Sequence, residues 1–394
     1  MLYRKGPIWY NSGIIFPLKK EVIMKFTCNR DLLAEGLTIV QKAIPNKSNY
    51  PALECVLIDV SEDLVLTGSD TDLSITYQVP VMIIEEVGST LVNARVFSDI
   101  IRRLPDLYVT IETSGVGGNI SINSGKSHFE LPTISSEQYP KINFINNDER
   151  LMEMPAQTLK SLIKQTSFAA SPDSARMVLR GVLIENSGGL LKFVAIDGYR
   201  LAVKTSPSDY EEDFRMVVPS KVLNELAKII EKSENNIRFC FSEDEKQVMF
   251  FNDNFSLVSG LLKGDFPDYK QLLPKEYKCK MVTKNQVLID TIERVSLVIN
   301  DDKKWFVELT TYPDEVFICA TGENGKSHET VPAEISGQEI LIAFNEKSLV
   351  ECLKAIEKEN ITINFSFEKG PCVISSDEDS SYFILIMPVK HKSR

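Results

Sequence analysis

The segment from Val178 to Val203 reads VLRGVLIENSGGLLKFVAIDGYRLAV. Two apolar runs, Val178–Ile184 and Leu190–Ala195, flank a Ser-Gly-Gly turn, and this pattern predicts a β-hairpin. The sequence Asp197–Arg200 follows, in which a glycine permits a positive φ angle, and an extended pattern resumes at Leu201. We therefore expect two paired strands, a tight loop and a third strand.

Two other segments, centred on Val56 and Leu309, carry a similar pattern of strand, turn and strand. Their distances from Val182, the equivalent position in the first-quoted segment, are 126 and 127 residues. An amphipathic helix pattern follows each hairpin, and its equivalent positions have the same two spacings. These positions are Val96, Val222 and Leu349. Two markers with one period indicate a threefold repeat, and the period is about the size of one domain.

Each repeat combines two helix patterns with several strand patterns, in the order helix, strands, helix, strands. The predicted helices are 28–43, 93–104, 156–168, 220–232, 284–299 and 345–358. Polar stretches at 146–150 and 274–276 separate the repeats. The predicted fold class is therefore α+β, with three repeated domains of two helices plus antiparallel sheets. We expect these domains at 24–148, 149–275 and 276–394.

Residues 1–23 do not belong to the repeat. Their apolar runs are shorter than the core of a signal peptide, which needs about 7 to 15 apolar residues. The sequence Lys19–Met24 can be encoded by a run that contains a ribosome-binding site shortly before a start codon. Our hypothesis is that this N-terminal extension is untranslated leader and that translation starts at Met24. The intact mass of the natively expressed protein tests it.

The composition, 43% apolar and 25% charged residues, is typical of a globular protein. No apolar run approaches the roughly 20 residues of a membrane helix. The seven cysteines are widely spaced and form no Cys-x-x-Cys pair, which favours buried thiols in a reducing cytoplasm. We therefore expect a cytoplasmic protein without disulfides, metal, cofactor or membrane contact.

The charge is unevenly distributed. The net charge is −11, which argues against a generic nucleic-acid binder, yet the six predicted helices together carry +5. The helices could present a positive surface to a polyanion while the remaining surface repels it. Charge alone leaves the alternative open that these are ordinary solvated helix faces, because Lys and Arg favour helices.

No pattern indicates catalysis. His128, His328 and His391 are scattered, and the sequence contains no His-Glu-x-x-His, Walker or Gly-x-Ser-x-Gly motif. The glycine-rich run 115–118 lies between strand patterns and reads as a hairpin turn, and the pair Asp70 and Asp72 is expected at a hairpin end. We predict no catalytic residues.

Six short motifs, in this order along the repeat, resemble one family. They are Met24-Lys25-Phe26-Thr27 with Arg30, Pro51-Ala52-Leu53, Asp197–Ala202, Phe266–Tyr269 with Leu273-Pro274, Ala343-Phe344-Asn345, and Met387–Lys390. Together they are similar to the bacterial sliding clamps, the beta subunits of DNA polymerase III. The resemblance covers Met24 to about Lys390.

The resemblance implies a processivity factor. Family members are head-to-tail homodimers whose six domains form a ring around double-stranded DNA, with helices lining the hole, and they contact DNA independently of sequence. The DNA polymerase III catalytic subunit, the clamp loader and repair polymerases insert clamp-binding peptides between the second and third domains. The alternative is a threefold-repeat interaction scaffold that does not encircle DNA.

The resemblance also implies three sets of site residues. Among the expected DNA-facing cations, those that match family positions are Lys47, Arg176 and Lys221. The others are expected from their placement on the predicted helices, and they are Arg95, Arg102, Arg103, Lys228, Lys347 and Lys354. The peptide-binding positions are Leu179, Ile196, Gly198, Tyr199, Arg200, Leu201, Pro267, Gln271, Leu272, Pro371, Leu385, Met387, Pro388, Val389 and Lys390. The dimer interface positions are Phe129, Leu131, Val298 and Ile299. For the cations a solvated surface role stays open, and for Leu179, Leu201 and Leu385 a purely structural core role stays open.

Two positions depart from the family pattern. Ile196 stands where a small hydroxyl residue is common, which would remove a hydrogen bond and narrow the pocket. Val389-Lys390 stands where Met-Arg or Val-Arg is usual. We expect these changes to alter which peptides bind.

Overall fold

A computed structural model describes residues 22–115, 118–142, 144–145, 151–242, 244, 246–299 and 306–389. For Val22 and Ile23 only the backbone is described. The described residues form two compact units. One holds the residues up to Asp70 together with Thr76–Lys141, and the other holds Thr71–Ile75 together with the residues from Ile142 onward. The second and third repeats therefore belong to one unit.

All six predicted helices are present, each shorter than its sequence pattern. They are α1 (Arg30–Val40), α2 (Ala94–Ile101), α3 (Ala156–Ser167), α4 (Ser220–Ile229), α5 (Asn285–Val295) and α6 (Glu346–Lys354). Asn29 caps α1, because its Oδ1 accepts a hydrogen bond from the backbone N–H of Asp31 at 2.8 Å. Asn93 and Asn345 cap α2 and α6 in the same way.

The described residues also form 26 strands, and all the pairings between them that are described here are antiparallel. In the first repeat they are β1 (Val22–Asn29), β2 (Cys55–Val60), β3 (Leu64–Ser69), β4 (Leu73–Val79), β5 (Val81–Glu86), β6 (Gly88–Asn93), β7 (Tyr108–Ser114), β8 (Asn119–Ser124) and β9 (Ser127–Ile134). In the second they are β10 (Met152–Pro155), β11 (Gly181–Ser187), β12 (Leu190–Ile196), β13 (Arg200–Pro207), β14 (Phe214–Pro219), β15 (Asn236–Phe241), β16 (Gln247–Phe251) and β17 (Phe255–Gly260). In the third they are β18 (Cys279–Lys284), β19 (Phe306–Thr311), β20 (Glu315–Gly322), β21 (Gly325–Pro332), β22 (Glu334–Gly337), β23 (Leu341–Asn345), β24 (Asn360–Phe365), β25 (Cys372–Ser376) and β26 (Asp379–Ile386).

The first unit contains the strand order β3-β2-β6-β9-β8-β7-β1-β5. The predicted hairpin of β2 and β3 pairs Ile58 with Leu66. Phe26, Leu37 and Phe97 are fully buried in this unit, since the apolar faces of β1, α1 and α2 all point inward. The Arg102 guanidinium, just after α2, donates to Thr38 Oγ1 in α1 at 3.0 Å and so ties the two helices together.

The second unit contains a nine-stranded sheet in the order β14-β11-β12-β13-β26-β25-β24-β18-β22. Its middle joins the second repeat to the third, because β13 pairs with β26 and places Leu201 opposite Leu385. Two four-stranded arrangements complete the unit, β10-β15-β16-β17 and β21-β20-β19-β23. Ser167 Oγ donates to Asn224 Oδ1 between α3 and α4, and Asn285 donates to the Leu353 carbonyl between α5 and α6.

Three details differ from the sequence prediction. A short strand opens each repeat before its first helix, and β1 begins at Val22, two residues before Met24, while residues 1–21 lie outside the described residues. Val178 lies in a 3₁₀ turn, Met177–Arg180, and not in the strand. The strand starts at Gly181, where a Cβ would lie 2.6 Å from the Val218 carbonyl oxygen, so only glycine allows this close approach.

All seven cysteines are free thiols, and six are buried. Burial raises the pKa of the Cys28 and Cys352 thiols to about 12, so neither is a thiolate at neutral pH. Within the described ranges, no group of three or more His, Cys, Asp or Glu side chains could hold a metal ion. No helix among these residues is long and apolar enough to cross a membrane.

Candidate functional site

The loop between β12 and β13 is held by a single carboxylate. Asp197 Oδ1 accepts hydrogen bonds from the backbone N–H groups of Tyr199 at 2.8 Å and Arg200 at 2.7 Å. Gly198, between Asp197 and Tyr199, has φ = +93°, and its position in the sequence predicted a positive φ. The result is a tight turn that turns the Tyr199 side chain outward, where it is 72% exposed.

Arg200 points inward from this loop, and its side chain is only 11% exposed. Its guanidinium contacts Asp197 at 3.0 Å and also bonds Glu351 on α6 of the third repeat. The same group lies 5.6 Å from the centroid of the Phe168 ring at the end of α3. Burial alone lowers the pKa of Arg200, but the Glu351 hydrogen bond and the Asp197 charge outweigh it, so the net change is upward. Arg200 thus links the second repeat to the third through its ion pairs with Asp197 and Glu351.

Several predicted peptide-binding positions meet in one hydrophobic cluster of the second unit. Leu201 is fully buried, Leu385 is 4% exposed and Ile196 is 7% exposed, while Leu179 packs against the cluster and is only partly buried. The other buried members are Val178, Leu183, Val194, Val203, Val217, Phe266, Tyr269 and Val373. For Leu201 and Leu385 the structural role left open above is therefore real, whereas Leu179 lies at the cluster surface.

A rim of exposed apolar side chains accompanies this cluster. Besides Tyr199, Met387 is 37% exposed and Leu272 is 42% exposed. The backbone N–H of Met387 donates to the Tyr199 carbonyl at 2.8 Å, which sets the C-terminal segment beside the loop. Two residues later, the N–H of Val389 donates to the Ala343 carbonyl at 2.8 Å. The segment after β26, from Met387 to Val389, is thus tied to both repeats.

The remaining predicted peptide positions lie on two further segments. Pro267 precedes the 3₁₀ turn Tyr269–Leu272, and Gln271 lies within it, where its amide donates to the Asp268 carboxylate at 2.9 Å. Pro371 lies in the turn before β25, and its carbonyl accepts a hydrogen bond from Ser366 at 2.7 Å. Pro388 is half-buried between Met387 and Val389, and Lys390 lies outside the described residues.

The predicted DNA-facing cations divide into two groups. All nine are exposed. Arg102 bonds Thr38 and Gln41, Lys228 pairs with Glu225 at 2.8 Å, and Lys354 pairs with Glu293 at 2.7 Å. Five side chains make no hydrogen bond or ion pair within the described part of the chain, namely Lys47, Arg95, Arg103, Arg176 and Lys221. Lys347 is exposed on α6 and has an interaction of its own.

The predicted dimer positions lie beside unpaired strand edges. Phe129, 40% exposed, and Leu131 are on β9. Among the described strands, the 127–131 part of β9 pairs only with β8. Val298 and Ile299 follow α5 and are half-buried, and β21, in the same repeat, pairs only with β20 in the part of the chain that is described.

Comparison with known proteins decides the family. Family models for the N-terminal, central and C-terminal domains of the DNA polymerase III beta subunit match residues 24–143, 153–268 and 270–390. The chain belongs to the DNA polymerase III beta subunit family. The resemblance and the α+β clamp fold expected from the sequence are both confirmed.

The relatives of this beta subunit are sliding clamps. Beta sliding clamps from Bacillus subtilis and Staphylococcus aureus are each 33% identical to it, and the matches cover 93% of this chain and 100% of each relative. The crystal structure of the Bacillus subtilis clamp matches with a TM-score of 0.90 and 31% identity, covering 94% of this chain and all of that one. The Pseudomonas aeruginosa clamp bound to griselimycin matches with a TM-score of 0.88 and 25% identity, covering 93% and 100%. Membership in this family makes the protein a non-catalytic processivity factor of DNA replication.

Sequence reasoning about the beta subunit missed two features of the site. Glu351 and Phe168, which contact Arg200, lie 151 and 32 residues from it along the chain, and no local sequence pattern predicts either contact. Leu297 is 79% exposed beside Val298 and was not singled out, although three consecutive apolar residues after a helix are a detectable signal.

Proposed function

We propose that two copies of this sliding clamp close head to tail into a ring around double-stranded DNA. The observation that carries the proposal is the pair of unpaired edges, β21 and residues 127–131 of β9. Among the described strands, each edge leaves backbone N–H and C=O groups without strand partners, so β21 of one copy can continue the sheet at β9 of the next. Phe129, Leu131, Val298 and Ile299 then bury apolar surface at the seam.

The oligomeric state tests the seam. We expect the full chain to sediment as a dimer that persists on dilution. Leu297→Asp and Val298→Asp should yield folded monomers, because each sets a carboxylate into an apolar interface. Leu107→Asp, at a 46% exposed leucine away from both edges, is the matched control and should leave the dimer intact. A monomer at every concentration would overturn the ring and favour the alternative, a scaffold that does not encircle DNA.

DNA retention tests the topology. A ring loaded onto nicked circular plasmid by a clamp loader should co-elute with the plasmid and should be lost when the plasmid is linearised. Loss that depends on linearisation, and not on salt alone, distinguishes encirclement from ordinary electrostatic binding. Equal retention on both forms would contradict the proposal.

We further propose that Lys47, Arg95, Arg103, Arg176 and Lys221, whose exposed side chains have no hydrogen bond or ion pair among the described residues, give weak, sequence-independent phosphate contacts inside the ring. Weak contacts suit a sliding protein, since they hold it near the backbone without reading bases. We expect Arg176→Ala and Lys221→Ala each to weaken DNA contact equally on unrelated sequences. Lys228→Ala should have less effect, because Lys228 already pairs with Glu225.

The clamp-binding peptides of partners are proposed to enter a groove formed by Leu179 and the exposed rim Tyr199, Leu272 and Met387, with the buried cluster as its floor. Met is well suited to such a groove because its side chain adapts to different ligands. The partners are the DNA polymerase III catalytic subunit, the clamp loader and repair polymerases, acting with the clamp in the cytoplasm. Griselimycin, which the Pseudomonas aeruginosa clamp binds, is expected to bind this chain as well.

The probe for this groove is a fluorescent peptide that carries the clamp-binding segment of the Bacillus subtilis DNA polymerase III catalytic subunit. Met387→Ala should weaken its binding about tenfold or more, since one exposed apolar side chain is worth roughly 1–3 kcal/mol when covered. Met82→Ala, at a 58% exposed methionine in the other unit, is the control and should bind normally. Equal binding by the wild type and Met387→Ala would contradict the groove.

A further inference from the structure

A cavity of about 430 Å³ opens in the second unit beside the proposed peptide groove. One wall is the segment after the 3₁₀ turn, with Leu273 and Tyr277, and the other is the hairpin of β25 and β26, with Val373, Asp377 and Phe383. Its size lies within the range of ligand pockets, about 300–1,000 Å³. Nothing in the proposed function uses this space.

The floor of the cavity is continuous with the floor of the groove. Val373 is a buried member of the hydrophobic cluster that contains Ile196 and Leu201, and Leu273 and Phe383 pack against that cluster from its edge. A peptide lying in the groove and continuing past its end would therefore meet side chains that belong to the same cluster. Ser375, Ser376 and Ser380 line the cavity beside them.

The aromatic wall of the cavity is open to solvent. Tyr277 is 44% exposed, although burial of its remaining surface raises the pKa of its hydroxyl group. The adjacent Phe383 is half-buried. Two partly accessible aromatic rings next to Leu273 and Val373 favour an aromatic or long aliphatic ligand side chain.

The turn at the mouth of the cavity is acidic. Asp377 and Asp379 line the cavity, and Glu378 stands between them in the β25–β26 hairpin turn, with Asp379 as the first residue of β26. Lys204 pairs with Asp379 at 2.6 Å and Lys280 with Asp377 at 3.3 Å, while the exposed Glu378 carboxylate makes no hydrogen bond or ion pair in the described ranges. One negative charge is therefore left without a partner, which favours a cation.

We propose that this cavity binds the residues that flank the groove-bound segment of a partner peptide, and that it selects an aromatic residue adjacent to a lysine or arginine. The inference rests on the proposed peptide groove and deepens it. The aromatic side chain lies against Tyr277 and Phe383, and the cation lies over the turn 377–379. Partners that carry such a flank bind more tightly than partners that share only the central segment.

The test compares extended peptides on the full chain. The core peptide is the Bacillus subtilis polymerase segment described above, and it is extended at either end by Phe-Arg or, as a control, by Gly-Gly. We expect one of the two Phe-Arg extensions to improve affinity about fivefold over the matching Gly-Gly extension, measured by competition in fluorescence anisotropy. Tyr277→Ala should abolish this gain and leave the core peptide's affinity within twofold of wild type.

Two further variants complete the design. Glu378→Gln should reduce the gain from Phe-Arg but not the gain from Phe-Ala, since only the former carries a cation. Tyr108→Ala, at a 48% exposed tyrosine in the other unit, should keep the full gain. A gain that persists in Tyr277→Ala, or no gain from either extension, would overturn the inference while leaving the groove intact. Failure of the core peptide itself to bind would overturn the groove and the cavity together.

Discussion

The loop between β3 and β4 and the loop between β12 and β13 occupy equivalent positions in the first two repeats. Thr71 has φ = +80° and Gly198, 127 residues later, has φ = +93°. Gly325, a further 127 residues on, also has a positive φ, +139°. Thr71 is the only residue other than glycine with a positive φ in the described ranges. The connection between the strands therefore requires a positive φ at this position in every repeat. Glycine meets this requirement in two repeats, and threonine adopts the same conformation in the first.

The residues two positions after Thr71 and Gly198 differ in chemistry. The first repeat has Leu73, 2% exposed, where the second has the nearly buried Arg200. A buried leucine needs no partner, whereas a buried guanidinium requires charges around it, and Asp197 and Glu351 supply them. The same turn conformation therefore precedes a buried leucine in the first repeat and the ion-paired Arg200 of the candidate site in the second.

Removing the ion pairs of Arg200 should have the largest effect on stability. Arg200→Ala leaves Asp197, whose side chain is 14% exposed, without its cation, and should lower the free energy of unfolding by about 2–3 kcal/mol. Glu351→Ala should cost less than about 1 kcal/mol, because that carboxylate is 57% exposed and screened by water. Urea unfolding followed by circular dichroism measures both. Equal losses of unfolding free energy in the two variants would show that Arg200 stabilises the protein through Glu351 alone.

Removing the glycine should have the next largest effect. Gly198→Ala places a Cβ where no atom lies within 4 Å, so the cost comes from the positive φ alone, about 1–2 kcal/mol of unfolding free energy. Gly260 also has open space at its Cβ but no positive φ, and Gly260→Ala should change stability by less than about 0.5 kcal/mol. The same unfolding experiment applies, and matching losses would refute the conformational explanation.

The converse change in the first repeat should stabilise the protein. Thr71→Gly removes a β-branched side chain from φ = +80°, and the relief of backbone strain exceeds both the entropy cost of glycine and any loss of the interaction that Thr71 makes, for a gain of up to about 1 kcal/mol. Thr76→Gly, within β4, should instead destabilise by about 0.5–1 kcal/mol. A loss of stability in Thr71→Gly would mean that the threonine side chain, and not the backbone, defines the first loop.

The smallest effect depends on pH. Lys204, in the strand after the second loop, pairs with Asp379, whereas the equivalent residue in the first repeat is Tyr77. Burial raises the pKa of Asp379, but hydrogen bonds from Lys204 and Ser381 outweigh it, so the pKa lies below its ordinary value of 3.8. A lowered pKa stabilises the fold above the unfolded value, and this contribution is lost as the pH falls through the folded value.

The variant that checks this pair is Asp379→Asn. Thermal unfolding at pH 7 should show a loss of at most about 1 kcal/mol relative to wild type. As the pH falls below 3.8 and through the lower folded pKa of Asp379, the two proteins should converge, since the wild-type carboxyl group becomes neutral as well. A difference that stays constant from pH 7 to pH 3 would exclude the ion pair as its cause.

The repeats and helices were predictable because their signals are local and periodic. Val96, Val222 and Leu349 repeat along the chain, and each helix shows its buried face within a few turns. The strand β10 was not predicted, because four residues are too few for a period-two pattern. The bond between Arg200 and Glu351 joins residues 151 positions apart, and only the pairing of β13 with β26 brings them together.

The candidate site was therefore only partly accessible from the sequence. Leu201 and Leu385 were named for a groove, yet they are buried directly opposite each other across two strands. A family motif identifies which positions matter but does not distinguish a side chain that touches a ligand from one that supports it. Exposure adds that Tyr199 and Met387 are accessible to a ligand, whereas Leu201 and Leu385 are buried.

The pairing of β13 with β26 has a consequence for the ancestry of this chain. A single ancestral copy would have ended its sheet at the edge that β13 now presents to β26, and a free edge of that length invites association with other chains. In this chain the third repeat supplies the pairing strand on the same polypeptide, so that edge is covered. Because β13 and β26 share backbone hydrogen bonds and one hydrophobic cluster, a substitution in one strand is expected to change the stability of the other.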